Sequence, residues 1–210
     1  MSSISIIGVG NMARALADRA LAGGNAVEII GRDPAKAKEL AATLGGATVG
    51  AAGAAPAGDI VILAVPYGSA AAAVSEYGDA LRGKVIIDIT NPVNADLTGF
   101  VTPEGSSGAQ EIAKAAAAGA HVVKAFNTLF SHVLAAGPAE GRPLDVFIAG
   151  DDAQAKTRVS AFIESLGLRP LDTGLLPMAR ALENVALLQL GLLTHSVKHT
   201  NFVVGVTILS

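Results

Sequence analysis

The chain has 210 residues, of which 51% are hydrophobic and 16% charged, and it carries a formal net charge of −3. A sequence of this length and polarity buries a substantial core and leaves no long part disordered, and its slight acidity lacks the basic footprint of a nucleic-acid binder. It contains no cysteine, which excludes disulfides, thiolate metal sites and cysteine nucleophiles together.

In chain order the pattern alternates between short apolar runs and helix-like stretches, which predicts an α/β fold, a Rossmann-type doubly wound parallel sheet with helices on both faces. The strand candidates are Ile4–Ile7, Ala26–Ile30, Ala47–Val49, Asp59–Val65, Lys84–Ile89, His121–Phe126, Leu144–Ala149 and Leu168–Leu171. The run "DIVILAVP" is apolar without alternation, as a central strand covered on both sides should be. After Gly10 a helix turns Met12, Leu16 and Ala20 inward and sets Arg14 and Asp18 outward as an i,i+4 pair. "DPAKAKELAATLGG" reads as a complete helix: Asp33 is the N-cap, Pro34 opens the first turn, Ala37, Leu40 and Leu44 point inward, and Gly45-Gly46 ends it. Val74, Tyr77 and Leu81 give the next helix its inner face, and the alanine tracts "GSAAAAV" and "KAAAAGA" fall where crossover helices are due. "AAGPAEGRP" (135–143) clusters Gly and Pro without periodicity and is the predicted boundary between a dinucleotide-binding part (1–140) and a small C-terminal α/β unit (141–210). The start of the chain has no basic segment followed by an apolar run of about 7–15 residues, so no secretory signal is read and a cytoplasmic location is expected. The final apolar stretch, Phe202 to Leu209, is far short of the ~20 residues of a membrane span and reads as a buried strand. No membrane and no nucleic-acid partner is expected.

The opening "ISIIGVGNMARALADRAL" carries the first chemical signal. Gly8-x-Gly10-x-x-Ala13 follows a strand and opens a helix. In that context Gly8 permits a tight turn, Gly10 lets backbone approach a pyrophosphate, and Ala13 lets the helix pack close. The helix then offers its N–H groups and positive dipole end to phosphates. Taken alone, glycines in a loop are often only a tight turn; the strand before, the helix after and the second strand about 20 residues on favour nucleotide binding here. The end of the second strand selects the dinucleotide. An acidic residue there would accept from an NAD ribose, whereas this chain has Gly31, Arg32 and, one helical turn on, Lys36, which suits the 2′-phosphate of NADP. The alternative role of Arg32 and Lys36 is merely to solvate a helix start, with Asp33 capping it; Glu28 lies too early in its strand to reach the ribose.

Topology adds the carboxyl ends of three further strands: Ala64-Val65-Pro66-Tyr67, Thr90-Asn91-Pro92 and Ala125-Phe126-Asn127-Thr128. Asn91 and Asn127 can each donate to and accept from a carboxamide, although Asn before Pro also starts turns. His132, His195 and His199 have no matching carboxylate pattern and read as surface or helix-end groups, and no set of residues has metal-ligand spacing, so no metal is expected.

"GVGNMARALADRAL", "GRDPAKAKEL", "DIVILAVP", "VVKAFNTLFSHVLAAGP" and "LRPLDTGLLPMARALE", in this order, resemble the NADPH-dependent coenzyme F420 reductase family. They are also similar to the cytosolic oxidoreductase domain of the six-transmembrane ferric metalloreductases. The resemblance implies an NADP-dependent oxidoreductase that passes a hydride between NADP(H) and a diffusible deazaflavin (F420) or flavin (FMN or FAD), within a homodimer. It places Val9, Gly10, Asn11 and Met12 on the pyrophosphate, Gly31, Arg32 and Lys36 on the 2′-phosphate, and Asn127, Thr128 and Leu129 beside the second ring, with Asn127 the candidate catalytic residue. Ala64, Val65, Pro66, Asn91 and Pro92 complete the implied cofactor cleft. Asn127 stands where the deazaflavin reductases commonly have His and matches the metalloreductase domains instead. Hydride transfer between two stacked rings is mostly positioning, so no acid or base is singled out. Two other readings share the opening motif: an imine reductase of the pyrroline-5-carboxylate type, whose long C-terminal helical bundle is not matched after Gly141, and a non-enzymatic NADP-binding sensor.

Overall fold

A computed structural model describes residues 1–137 and 142–209. Eight strands form one sheet in the order β3-β2-β1-β4-β5-β6-β7-β8. They are β1 (Ser3–Ile7), β2 (Ala26–Ile30), β3 (Thr48–Gly50), β4 (Ile60–Leu63), β5 (Val85–Asp88), β6 (His121–Lys124), β7 (Asp145–Gly150) and β8 (Arg169–Asp172). All eight expected strands are present, with ends shifted by a residue or two. The pairings are parallel except β6–β7, which is antiparallel and so departs from an all-parallel expectation. The predicted 140/141 boundary lies outside the described residues.

The helices are α1 (Asn11–Ala22), α2 (Pro34–Leu44), α3 (Tyr67–Tyr77), α4 (Gly108–Ala115), α5 (Ser131–Ala136), α6 (Ala153–Ser165) and α7 (Ala179–Leu192). Strand side chains alternate between two apolar layers. Ile4, Ile6, Ile62 and Ile87 pack with Leu16 of α1, Leu40 of α2 and Phe162 of α6. Val61, Leu63 and Ile86 pack with Val74 of α3, Ile112 of α4 and Ala179 of α7. Both faces are thus dry, which is why the central strands need no polar alternation.

Local signals hold where they are strong. The Asp33 side chain accepts from the backbone N–H of Ala35 (2.9 Å) and Lys36 (3.4 Å), and Gly45 ends α2 in the left-handed region at φ 69°. Three expectations need correction. Arg14 and Asp18 are exposed but form no ion pair among the described residues, consistent with the small gain available to an exposed pair. The tract "KAAAAGA" is not helical throughout: α4 stops at Ala115, Ala116 is extended (ψ 145°) and Gly119 turns at φ 86°, because the chain must reverse there to enter β6. Phe202–Leu209 is not a buried strand. It lies irregular and mostly exposed, held by the Val206 N–H on the Asp145 carboxylate (2.7 Å) and the Val206 carbonyl on Arg169 (2.7 Å). β8 already occupies that edge of the sheet, and no ladder position is open to the tail except beyond it.

Candidate functional site

The sheet order reverses between β1 and β4, and a crevice opens at the carboxyl ends of strands at such a point. The glycine turn sits there. The Gly8 N–H donates to the Ile30 carbonyl of β2 (2.8 Å), and the Ala64 N–H at the end of β4 donates to the Ile7 carbonyl (2.9 Å), so the turn is tied on both sides. Gly8 has φ 136°, a conformation that requires glycine. Gly10 differs: a Cβ built on it would meet nothing within 4 Å. Its bareness therefore serves no contact inside the protein and leaves room for a group from outside. No side chain caps α1, in contrast to α2, so the first N–H groups of α1 remain available to an anion. Gly31 closes the far side, where a Cβ would lie 2.9 Å from Val9 Cγ1. Arg32 and Lys36 are exposed beside it, and among the described residues neither enters an ion pair. The arrangement fits a pyrophosphate on the turn with a phosphorylated ribose beside two uncommitted cations. Glu28 is committed elsewhere, accepting from the Ser5 hydroxyl (2.5 Å) and the Ala57 N–H (2.9 Å).

Further along the crevice, Asn91 and Asn127 bind each other. Asn91 Nδ2 donates to the Asn127 carbonyl (2.8 Å), and Asn127 Nδ2 donates to Asn91 Oδ1 (2.9 Å) and to the Leu182 carbonyl of α7 (3.0 Å). Both hydrogens of Asn127 Nδ2 are thereby used, while its Oδ1 is buried without a partner. Asn127 can offer a ligand only an acceptor. Phe126, just before it, is fully buried at φ 61°, a left-handed conformation that costs about 1–3 kcal/mol for such a side chain. Packing of its ring edge-on to Phe162 (6.3 Å between centroids) helps hold that kink. The kink is what swings Asn127 back toward Asn91.

Asn91, Asn127, Thr128 and Leu129 line one cavity with Ala186 and Gln189 of α7. At about 110 Å³ it admits a carboxamide-sized group and not a ring system. A larger groove of about 390 Å³ runs along the outer side of α1 past Arg14, Asp18 and His132, and of the predicted set only Asn11 borders it. His132 bonds the Thr200 carbonyl (3.0 Å), and His195 and His199 are exposed.

Sequence reasoning missed the polar groups beneath these loops. In the parallel register Asp88 lies beside Lys124, both pointing into the α3/α4/α7 layer, and Glu183 of α7 closes over them. Lys124 Nζ donates to Asp88 (2.9 Å), Glu183 (3.0 Å) and the Thr90 carbonyl (2.5 Å), which saturates its three hydrogens. All three ionisable side chains are fully buried. Gln189 of α7 adds a bond to the Thr128 carbonyl (2.9 Å). A lysine inside "HVVKAF", an aspartate ending "VIID" and a glutamate within the apolar helix "ARALENVALL" were the available signal, since buried charges demand partners.

Residues 3–92 match the family model described as "NADP oxidoreductase coenzyme F420-dependent". The F420-dependent NADP reductase of Methanothermobacter marburgensis is 31% identical over 174 residues, covering 79% of this chain and 72% of that protein. The chain belongs to the F420-dependent NADP oxidoreductase family. A solved protein of Arthrobacter sp. FB24, described as a "putative f420 dependent nadp-reductase", superposes with a TM-score of 0.84 at 26% identity, covering 96% of this chain and 97% of that one. Metalloreductase STEAP3 of Rattus norvegicus is 32% identical over 88% of this chain, and the chain spans only 36% of STEAP3. Among the described residues no helix is long and apolar enough to cross a membrane. As a member of the family the chain is an NADP-dependent oxidoreductase of the Rossmann class.

Proposed function

We propose that this oxidoreductase transfers a hydride between NADP(H) and a diffusible deazaflavin or flavin ring. The observation that carries the reading is Gly10, bare toward open space at the uncapped start of α1, with Arg32 and Lys36 uncommitted at the end of β2. Val9 to Met12 hold the pyrophosphate, Gly31, Arg32 and Lys36 the 2′-phosphate, and Ala64-Val65-Pro66 with Asn91-Pro92 flank the nicotinamide ribose. The cavity lined by Asn91, Asn127, Thr128 and Gln189 takes the nicotinamide carboxamide. Fixing the carboxamide fixes which face of the ring is presented, and Thr128 and Leu129 border the second ring. The nicotinamide, when bound, gives or takes the hydride. The chain contributes orientation and exclusion of water, which suffices for transfer between stacked rings.

The C-terminal unit, 141–210, closes the acceptor side and pairs two copies into a homodimer working in the cytoplasm. The cavity is too small for a ring, so the acceptor lies above Asn127 and not within it. Mixing the protein with NADPH and F420, FMN, FAD or a cyclic imine, and following loss of nicotinamide absorbance, tests the assignment. Oxidation with a deazaflavin or flavin is expected; turnover of the cyclic imine alone, or tight NADPH binding without any oxidation, would reject it.

A further inference from the structure

Lys124, Asp88 and Glu183 place two carboxyl groups against one ammonium with no access to water, so full ionisation would leave one uncompensated negative charge in the core. The hydrogen bonds distinguish the two acids. Asp88 accepts at both oxygens, from the Thr90 N–H at Oδ1 (2.8 Å) and from Lys124 at Oδ2 (2.9 Å), as an ionised carboxylate should. Glu183 accepts twice at Oε1, from Lys124 (3.0 Å) and from the Gly108 N–H at the start of α4 (2.9 Å), while Oε2 is buried and meets no donor. A charge on that oxygen would be unsolvated, whereas its protonated form leaves one neutral O–H without an acceptor, by far the smaller of the two costs. The Thr90 hydroxyl, also buried without a partner, belongs to the residue whose carbonyl shares the same ammonium.

We propose that Glu183 is a neutral carboxylic acid at neutral pH, protonated on Oε2, and the positioning residue through which Lys124 holds the two strand-end loops of the cleft. The second half rests on the reading of those loops as the nicotinamide side. The connection is short. Lys124 grips the Thr90 carbonyl, Thr90 leads into Asn91, and Asn91 is bridged to Asn127, which α7 holds through the carbonyl of Leu182, the residue next to Glu183. With Glu183 neutral, Lys124 and Asp88 form a balanced pair, and one N–H of Lys124 stays on the Thr90 carbonyl.

The groups facing Glu183 are Lys124 of β6, Asp88 of β5 and Tyr67 of α3; on α7 itself, Arg180 is turned toward Thr102 (2.9 Å) and the Phe100 ring (4.1 Å). Tyr67 and Glu183 crowd the same point: a Cβ on Gly108 would stand 3.0 Å from the Tyr67 ring and 3.1 Å from Glu183 Oε1. Glu111 of α4 adds a further negative charge toward Tyr67. Burial pushes the Glu183 carboxyl above the usual carboxylate range; Lys124 opposes this, Asp88 reinforces it and the Gly108 N–H opposes it.

The test begins with the infrared spectrum of the purified full chain without ligand at neutral pH. A protonated-carboxyl carbonyl band, sensitive to deuterium, is expected in the wild type and in Glu111→Gln, and is expected to vanish in Glu183→Gln. Absence of the band, or its survival in Glu183→Gln, overturns the assignment, whatever acceptor the enzyme proves to use. NADPH titrations across pH test the positioning half. Wild-type affinity falls on the alkaline side as Glu183 loses its proton. Glu183→Gln, which keeps an acceptor for Lys124 and hydrogens on the other atom, holds neutral-pH affinity within about twofold, the spread of a near-neutral change, and flattens the alkaline fall. Glu183→Ala loses affinity at every pH. Equal losses in Gln and Ala, or an alkaline fall that persists in Gln, would overturn the positioning role.

Discussion

Gly8 lies so close to the end of β4 that a methyl group on it would stand 2.1 Å from the Ala64 carbonyl oxygen. Neither strand can retreat, because β1 and β4 are hydrogen-bonded neighbours at the centre of the sheet. Gly8→Ala is therefore expected to destabilise by more than about 2 kcal/mol, from a backbone clash combined with a forbidden φ. Gly10→Ala meets nothing in the protein and should cost only about 0.5–1 kcal/mol, as Ala replaces Gly at the N-cap of α1, while abolishing NADPH binding. Denaturant unfolding and NADPH titration of the two variants separate a glycine needed by the fold from one needed by the ligand. Loss of stability in both, with no selective loss of binding, would make the turn purely structural.

Arg32 stands exposed at the end of β2 without an ion-pair partner among the described residues. Replacing it by Ala should weaken NADPH binding by about 1.5–3 kcal/mol, the range for a lost hydrogen bond to a charged group. NADH binding should hardly change, since it has no 2′-phosphate. Calorimetric titration with both cofactors decides; equal losses would assign Arg32 to the fold.

Lys124→Met removes the cation from between two buried carboxyls and is expected to cost about 3–5 kcal/mol, the range for breaking a buried pair from one side. Adding Asp88→Asn should recover part of that loss, because the orphaned charge goes with it. A double-mutant cycle by denaturant unfolding measures the coupling, and strictly additive losses would mean the groups do not act as a unit.

The tail hangs on Asp145. Burial raises its carboxyl, but bonds from Arg169 (2.5 and 2.9 Å) and from the Val206 N–H outweigh this, and its pKa stands below the ordinary carboxylate value. A depressed folded-state pKa gives stability that is present above the unfolded value and lost as pH falls through the folded one. The Val206 N–H should accordingly lose its protection from hydrogen exchange, measured against its intrinsic rate, under acid conditions below the ordinary aspartate range, and Asp145→Asn should show the same loss at neutral pH. A tail equally protected in both, at all pH values, would rule out the clamp.

The amino-acid sequence by itself determined the elements and the turn. Apolar runs of strand length, the Asp33 cap, the Gly45 stop and the Gly8-x-Gly10-x-x-Ala13 spacing are local or period-driven signals, and each is present in the fold because nothing distant opposes it. The sequence also put Asn91 and Asn127 at strand ends. Only the tertiary structure decided that they bind each other, that β7 runs antiparallel to β6, that the alanine tract after Ala115 leaves the helix, and that the tail finds no strand to join. It alone brought Asp88, Lys124 and Glu183 together. The register of two strands aligned the first pair and α7 delivered the third from 59 residues beyond Lys124, and no local pattern encodes a contact at that separation.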